Sequence, residues 1–363
     1  MRHPLLINVS AGPVCTPWSE ERRENASQGC SRSRWPRLGK PFPLLLLWFT
    51  VHLCLVASSF AEPRAEIEES MGGDRLPRTT LIGSFLGTFP RMHRAVPNGW
   101  KNVYIPQPTG GDAMKMIQAL VDSVRLLRAS HPDTLSLVII TDVPGLKDFA
   151  SDSGDFEVHV PANLSHYHEA WGFLGANDVR FVMQRDYLLE LPSPCAFLID
   201  ASDVEVLRHP GALCAERPAG TLAVANDVSG AKFSDPATSP GRWMRQLVKR
   251  THYGDGDTAF ARLLADPTLP MLNCGIVGGD AGAVAEFLRR AHEALWARRS
   301  HKLTRPVDMV LANHIAHTWS GPTEFGFPEG LVSLPFRHEC GDVTPRCDYG
   351  ELEASGQFFF RHK

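Results

Sequence analysis

The chain has 363 residues, of which 43% are hydrophobic and 21% are charged, and its formal net charge is -3 at pH 7. The hydrophobic fraction excludes a disordered chain, and 8 cysteines are too few for a small disulfide scaffold. The net charge shows none of the basic excess that nucleic-acid-binding domains carry. From the length of the chain, we expect a globular protein of one large or two small domains.

Residues 42–61 form an apolar segment without Asp, Glu, Lys or Arg, and about 20 such residues can span a bilayer as a helix. Basic residues precede this segment and acidic residues follow it. By the positive-inside rule, this asymmetry predicts a cytoplasmic tail over 1–41, an uncleaved signal anchor over 42–61 and a luminal body. The protein is then a single-pass type II protein of the Golgi or ER membrane. The alternative is a signal peptide cleaved after Ser59-Phe60-Ala61, which would release a secreted protein.

Five cysteines lie in the predicted luminal body: Cys195, Cys214, Cys274, Cys340 and Cys347. Because the secretory pathway is oxidising, we expect disulfides among them. Cys340 and Cys347 bracket a short proline-containing loop and are the first expected pair. Cys195 and Cys214 are the second, which leaves Cys274 free.

The luminal body also contains a sequon for N-linked glycosylation. The tripeptide Asn163-Leu164-Ser165 predicts a glycan on Asn163. His166 and His168 follow this sequon. We expect them in a loop and do not assign them a metal ion.

Residues 62–78 are polar and charged and predict a stem, after which strand and helix patterns alternate. Apolar patterning predicts strands over 80–85, 136–141, 156–160 and 195–200, with helices over 111–129 and 177–191 between them. A further strand over 272–280 enters a helix over 281–298, and another helix begins near residue 305. This alternation predicts one α/β domain over 79–363, with a mostly parallel sheet flanked by helices.

Two acids follow the predicted strand at 195–200. Asp200 and Asp203 stand where this strand ends, and open α/β sheets bind ligands outside the carboxyl ends of their strands. Two carboxylates this close repel each other unless a cation lies between them, and Mn²⁺ and Mg²⁺ prefer oxygen ligands of this kind. The alternative is that Asp200 caps a turn and Asp203 faces water.

A glycine-rich strand and a helical acid form the next group of candidates. The stretch 272–280 carries Asn273 with Gly275, Gly278 and Gly279, and glycines allow a ligand to approach the backbone closely. Asp308 falls in the first turn of the following predicted helix, where an acid also complements the helix dipole.

Five motifs follow one another along the chain: Val179-Arg180-Phe181, Asp186-Tyr187-Leu188, the D-x-x-D of 200–203, the N-x-G-x-x-G-G of 273–279 and Asp308-Met309. This order resembles GT-A fold glycosyltransferases, and most of all the nucleotide-diphospho-sugar transferase-like proteins. The resemblance covers the chain from about residue 79 to the C-terminus. It implies a GT-A-like, Rossmann-type fold behind the N-terminal transmembrane helix.

The resemblance also implies an activity, namely transfer of a sugar from a nucleotide-diphospho-sugar donor to a glycan or protein acceptor with Mn²⁺ or Mg²⁺. Asp200, Asp203 and His362 would be the metal ligands, with His338 as the alternative to His362. Asp308 would act as the general base if the reaction inverts stereochemistry. The donor and substrate contacts would be Arg180, Asn273, Gly275, Gly278, Gly279 and Lys363.

One departure from the family pattern leaves a second interpretation open. The usual metal motif of this fold is D-x-D, whereas Asp200 and Asp203 are three positions apart. A GT-A fold that has lost catalysis and acts as a binding or scaffold protein of the secretory pathway is therefore the alternative. A metal-dependent hydrolase would need a larger His and Asp cluster for two ions than the sequence offers.

Overall fold

The computed structural model describes residues 76–87, 108–172, 174–190, 193–226, 231–299, 306–325, 333–335 and 358–362. The chain divides into two units, Met1–Gly73 and Asp74–Lys363, and all described residues belong to the second. The predicted anchor over 42–61, the cysteines Cys340 and Cys347, and the residues His338 and Lys363 lie outside the described ranges. Within those ranges, no helix is long and apolar enough to cross a membrane.

The described ranges contain nine helices and ten strands. The helices are α1 (Gly110–Ser130), α2 (Leu146–Ser153), α3 (Leu164–Trp171), α4 (Ala176–Glu190), α5 (Gly211–Glu216), α6 (Ser239–Thr251), α7 (Thr258–Ala265), α8 (Ala281–Ala297) and α9 (Asp308–His317). The strands are β1 (Thr79–Phe85), β2 (Leu135–Thr141), β3 (Glu157–His159), β4 (Cys195–Asp200), β5 (Val204–Val206), β6 (Leu222–Asn226), β7 (Leu272–Asp280), β8 (Thr323–Phe325), β9 (Ser333–Pro335) and β10 (Phe360–His362).

Seven of these strands form one sheet in the order β3-β2-β1-β4-β7-β6-β8, and the other three form a small sheet in the order β5-β10-β9. In the large sheet, β7 runs antiparallel to both of its neighbours. All other pairings in that sheet are parallel. The predicted α/β architecture with a mostly parallel sheet is confirmed.

The large sheet lies between two layers of helices, because alternate residues of a strand point to opposite faces. On one face, Ile82 and Leu198 belong to a core that includes residues of α4, α6, α7, α8 and α9. On the other face, Leu81 and Phe197 belong to a core that includes residues of α1, α2 and α5. Strand β4 is therefore covered on both sides, which explains its continuous apolar sequence.

Side-chain caps determine where several helices begin. The Thr109 hydroxyl accepts a hydrogen bond from the Asp112 N–H at the start of α1. At α3, the amide oxygen of Asn163 accepts from the His166 N–H at 3.1 Å. Asn caps of this kind stabilise the first turn of a helix. The expectation of a loop at His166 and His168 is therefore wrong, since both lie in α3.

The second predicted disulfide is present, and it links the large sheet to a helix beside it. Cys195, the first residue of β4, is bonded to Cys214 of α5 with a Cα–Cα distance of 6.2 Å. Cys274 is a free and buried thiol, as predicted. It lies in β7, and its surroundings belong to the candidate site.

Candidate functional site

The carboxyl ends of the parallel strands hold the predicted acid pair. Asp200 ends β4 and lies beside Ser84 of β1 in the parallel register. Asp203 follows in the turn before β5, and its N–H donates to the Asp200 carbonyl at 3.3 Å. His362 of β10 pairs in register with Val204, the residue after Asp203. The three predicted metal ligands are thus carried to the same edge of the sheet.

A buried guanidinium lies at the centre of this edge. Arg180, near the start of α4, is only 6% exposed. Its Nη1 lies 3.3 Å from Oδ2 of Asp200, and its Nη2 lies 3.5 Å from Oδ2 of Asp308. One cation therefore bridges two carboxylates that different elements supply, Asp200 from β4 and Asp308 from the first position of α9.

Cys274 of β7 completes the contacts of this cation. Nη2 of Arg180 donates to the Cys274 carbonyl at 3.3 Å and to its sulfur at 3.1 Å. The thiol in turn donates to Oδ2 of Asp308 at 3.2 Å. Burial, reinforced by the Asp308 charge, raises the pKa of the Cys274 thiol well above its usual range. The thiol thus keeps its proton at neutral pH and acts as a hydrogen-bond donor.

A further acid, Asp178, stands behind Asp308. Asp178 is 0% exposed, and its Oδ1 accepts a hydrogen bond at 2.8 Å from the N–H of Val307, the N-cap residue of α9. Burial and the nearby Asp308 raise the pKa of Asp178 to about 8. This carboxyl group therefore holds a proton at neutral pH while it fixes the start of the helix that carries Asp308.

His362 packs against β7 at a position where only glycine fits. A Cβ atom on Gly275 would lie 2.4 Å from Nε2 of His362. The Asn273 amide oxygen accepts from the Gly275 N–H at 2.7 Å and holds this part of the strand. Burial lowers the pKa of His362 to about 4, against the opposing effect of the Asp200 charge. His362 is therefore a neutral imidazole at neutral pH.

Two of the predicted site glycines lie away from this cluster. In the antiparallel register, Gly278 pairs with Phe197 and Gly279 with Ala196, which is towards the amino end of β4. A Cβ on Gly278 would lie 2.0 Å from the Phe197 ring, and Gly279 has a φ of +116°. With about 3.4 Å per residue, Gly278 is roughly 10 Å along the strand from Gly275. Packing and backbone conformation explain both glycines, and the structure does not bring them to the site.

The described residues do not fit a divalent metal ion in this arrangement. Among them, no three His, Cys, Asp or Glu side chains form a group that could hold a metal ion. Both carboxylate oxygens of Asp200 are engaged, Oδ2 by Arg180 and Oδ1 by the N–H and hydroxyl of Ser202. The Arg180 guanidinium thus contacts the carboxylate that was predicted to bind the ion.

A cavity lies at the opposite edge of the sheet. It measures about 1300 Å³, and its lining includes Thr80, His131, Ser136 and Tyr187. None of the predicted site residues lines it. The chemistry-bearing side chains and this cavity are therefore separate features of the domain.

The sequence alone missed Asp178 and the role of Cys274. The sequence carries a signal for the first of these, because Asp178 and Arg180 are charged residues within an otherwise apolar part of α4. Charged side chains are almost never fully buried unless they are paired, so their burial indicates an internal network. For Cys274 the sequence shows no such signal, because a buried cysteine ordinarily behaves as a small apolar residue.

Comparisons with known proteins add little to this geometry. No model of a known protein family matches the chain, and no curated protein matches it. Among solved structures, the galactosyltransferase LgtC in complex with donor and acceptor sugar analogs is similar at a TM-score of 0.40 and 10% identity. That match covers 78% of this chain and 86% of the LgtC chain. A likeness of this size establishes neither a common fold nor a common activity.

Proposed function

We propose that the protein is a glycosyltransferase that moves a sugar from a nucleotide-diphospho-sugar donor to a glycan or protein acceptor. One observation supports the proposal above all others. Segments far apart in the sequence bring Arg180, Asp200, Asp308 and His362 to one edge of a mostly parallel sheet. Ligands of open α/β sheets bind at this edge. Arg180, Asp200 and Asp308 belong to the motifs whose order resembles GT-A fold glycosyltransferases, and His362 is a ligand that this resemblance implies.

Each side chain of this cluster has a proposed role in the transfer. Asp308 would accept the proton of the attacking acceptor hydroxyl if the reaction inverts the anomeric centre. Arg180 is a fixed cation, so it would interact favourably with the negative charge that develops on the departing diphosphate. Asn273 and Gly275 would form the wall of the donor-sugar site beside them.

The proposed role of Asp308 depends on the groups that orient it. The Cys274 thiol and the Arg180 guanidinium both contact Oδ2 of Asp308, at 3.2 and 3.5 Å. Those two contacts orient the carboxylate. Asp178 fixes the backbone on the N-terminal side of Asp308 through its bond to Val307. Asp178 and Cys274 are therefore positioning residues.

Metal dependence remains a prediction for Asp200, Asp203 and His362, with Mn²⁺ or Mg²⁺ as the ion. The neutral imidazole of His362 could bind an ion, but Arg180 and Ser202 engage both oxygens of Asp200. No catalytic step is assigned to a metal. Donor binding measured with and without Mn²⁺ tests the prediction directly.

One observation favours the alternative of a fold that binds ligands without catalysis. Arg180 already neutralises both acids, and carboxylates satisfied in this way are stable without a ligand. A binding or scaffold protein of the secretory pathway would show the same contacts. It would bind a nucleotide-sugar without releasing the nucleotide.

Nucleotide release separates the two functions. The full chain, solubilised in detergent, is incubated with a panel of UDP- and GDP-sugars with water as the acceptor of the sugar, and free nucleotide is measured with and without Mn²⁺. We expect release by the wild type and a loss of at least about 100-fold in Asp308→Asn, the scale of a general-base contribution. Asp148→Asn is the matched control, because Asp148 is an exposed acid in the first turn of α2. Binding without release by the wild type would favour the non-catalytic protein.

The membrane topology is a separate proposal. A signal anchor over 42–61 would place residues 1–41 in the cytoplasm and the domain in the lumen of the Golgi or ER. Asn163, which is exposed, would then carry a glycan, whereas the sequons at Asn8 and Asn25 would not. Endoglycosidase treatment of single Asn→Gln variants tests this. A glycan on Asn8 or Asn25 would contradict the orientation.

A further inference from the structure

Helix α6 is strongly amphipathic, and its outward face is cationic. Met244, Leu247 and Val248 are buried in the core, while the residues between them are exposed. Five exposed residues fall on one helical face by their spacing, and we call them the α6 strip: Arg242, Trp243, Gln246, Lys249 and Arg250. At 1.5 Å per residue, the strip is about 12 Å long.

The positive charges of the α6 strip are not neutralised by carboxylates of the described residues. The helix contains no Asp or Glu, and Arg242 donates only to the carbonyls of Pro236 and Ala237. Other exposed arginines of the domain form ion pairs with carboxylates. Arg125 lies 2.6 Å from Asp155, and Arg289 lies 2.5 Å from Glu293. The α6 strip therefore keeps its charge available for an external partner.

Acids near the ends of α6 are engaged elsewhere. Before the helix, Asp235 accepts from the N–H of Ala237. After it, Asp255 lies 3.1 Å from His252. Neither carboxylate forms an ion pair with a residue of the α6 strip among the described contacts, so the face as a whole is positive.

The strip belongs to the same edge of the sheet as the candidate site. The excursion that contains α6 leaves the sheet after Asn226 of β6 and returns at Leu272 of β7, and these two residues pair with each other. Just after α6, the Tyr253 hydroxyl lies within hydrogen-bond distance, 3.1 Å, of Nδ1 of His314 in α9, the helix that begins at Asp308. The C-terminal end of α6 therefore lies beside the helix that carries Asp308.

The chemistry of the strip selects its partner. Three cationic side chains on one face of a helix attract carboxylate or sulfate groups. Trp243, 39% exposed, adds a flat apolar ring that can pack against the C–H face of a sugar, while its N–H and Gln246 can hydrogen-bond hydroxyl groups. A chain that carries both sugar rings and anionic groups satisfies both kinds of residue.

We propose that the α6 strip binds an anionic glycan, a chain with carboxylate or sulfate groups, as the acceptor side of the site. This inference rests on the proposed transferase function and names the class of its acceptor. The reducing or non-reducing end of the chain would reach Asp308 while the charged part lies on α6.

Binding of fluorescein-labelled heparin, a sulfated glycan, tests the inference on the full chain in detergent. At about 0.15 M NaCl the wild type should bind, and the triple variant Arg242→Gln, Lys249→Gln, Arg250→Gln should bind at least about tenfold more weakly. The control triple Lys115→Gln, Arg125→Gln, Lys147→Gln removes the same charge from exposed positions on α1 and α2. It should bind as the wild type does.

The tryptophan separates a glycan from any other polyanion. Trp243→Ala should weaken heparin binding about threefold, and this ratio should persist when salt screens the charges. The matched control is Trp296→Ala, because Trp296 is 41% exposed on α8. It should leave binding unchanged.

Three results would overturn the inference. The first is equal heparin binding by the wild type and the α6 triple variant, and the second is an equal loss of heparin binding in both triple variants. The third is binding to phosphatidylserine vesicles that is as tight as binding to heparin and is weakened equally in the α6 triple variant. The last result would make α6 a lipid-binding face. A thermal shift with nucleotide-sugars reports on the proposed transferase separately, since the proposed donor contacts include no residue of α6.

Discussion

Replacement of Arg180 by leucine should lower the stability of the domain substantially, because this residue forms two ion pairs in the interior. The guanidinium bridges Asp200 and Asp308, and the side chains of Arg180 and Asp308 are each only 8% exposed. Removing the cation leaves the two carboxylates near each other, with Asp178 behind them and no buried positive charge between them. Breaking a buried ion pair by removing one partner costs about 3–5 kcal/mol.

That loss is a large part of the 5–15 kcal/mol that stabilises a typical domain, so we expect Arg180→Leu to lower the free energy of unfolding by about 3–5 kcal/mol. The Arg180→Leu, Asp308→Asn double variant removes one of the two uncompensated charges. It should recover about 1–3 kcal/mol of the loss, because contacting residues couple by such amounts. Arg180→Lys should lose stability too, since one ammonium cannot reproduce the fork of contacts.

Urea unfolding at pH 7, followed by circular dichroism, measures all three variants. The reasoning is refuted if Arg180→Leu unfolds within about 1 kcal/mol of the wild type, or if Asp308→Asn adds its own loss in full.

Three further changes have expected outcomes. Because the pKa of Asp178 is raised to about 8, the contribution of this residue to stability should fall as the pH rises from about 4 to about 8. Over this range Asp178→Asn should therefore lose less stability than the wild type in urea titrations. Gly275→Ala should displace His362, lowering the melting temperature and abolishing donor-induced shifts, since its Cβ would lie 2.4 Å from the imidazole. Replacing Cys195 and Cys214 by alanine should cost about 3 kcal/mol in urea unfolding.

Much of the fold could be predicted because its strands and helices have clear patterns. Strand β4 was expected over 195–200 and occupies those residues, and α8 was expected over 281–298 and ends one residue earlier. Continuous apolar runs and amphipathic periodicity depend on local sequence, so they are visible without a structure. The antiparallel direction of β7 depends on the excursion through α6 and α7. Its path cannot be derived from local patterning.

The candidate site was only partly predictable, for reasons that the contacts make clear. Asp200 and Asp203 lie where β4 ends, and the position of a strand end can be predicted from the sequence alone. The hydrogen bond from the Val307 N–H to Asp178 joins the start of α9 to α4, and it depends on tertiary packing. Gly278 was predicted to contact the donor, but it is a glycine because a Cβ atom there would meet the Phe197 ring. The sequence does not distinguish these two reasons for a glycine. Whether a metal or Arg180 faces Asp200 also depends on packing.

Ligand-dependent thermal stability tests the central claim, that this edge of the sheet binds a nucleotide-diphospho-sugar. The melting temperature of the full chain in detergent is measured with each common nucleotide-sugar, with and without Mn²⁺, for the wild type and for Asp203→Ala. We expect at least one donor to raise the melting temperature of the wild type. If Asp203 binds the predicted Mn²⁺ that would hold the donor's diphosphate, the part of this shift that depends on Mn²⁺ should be absent in Asp203→Ala. No shift with any donor would contradict the claim, and an equal shift in both proteins would contradict the placement of the site at Asp203.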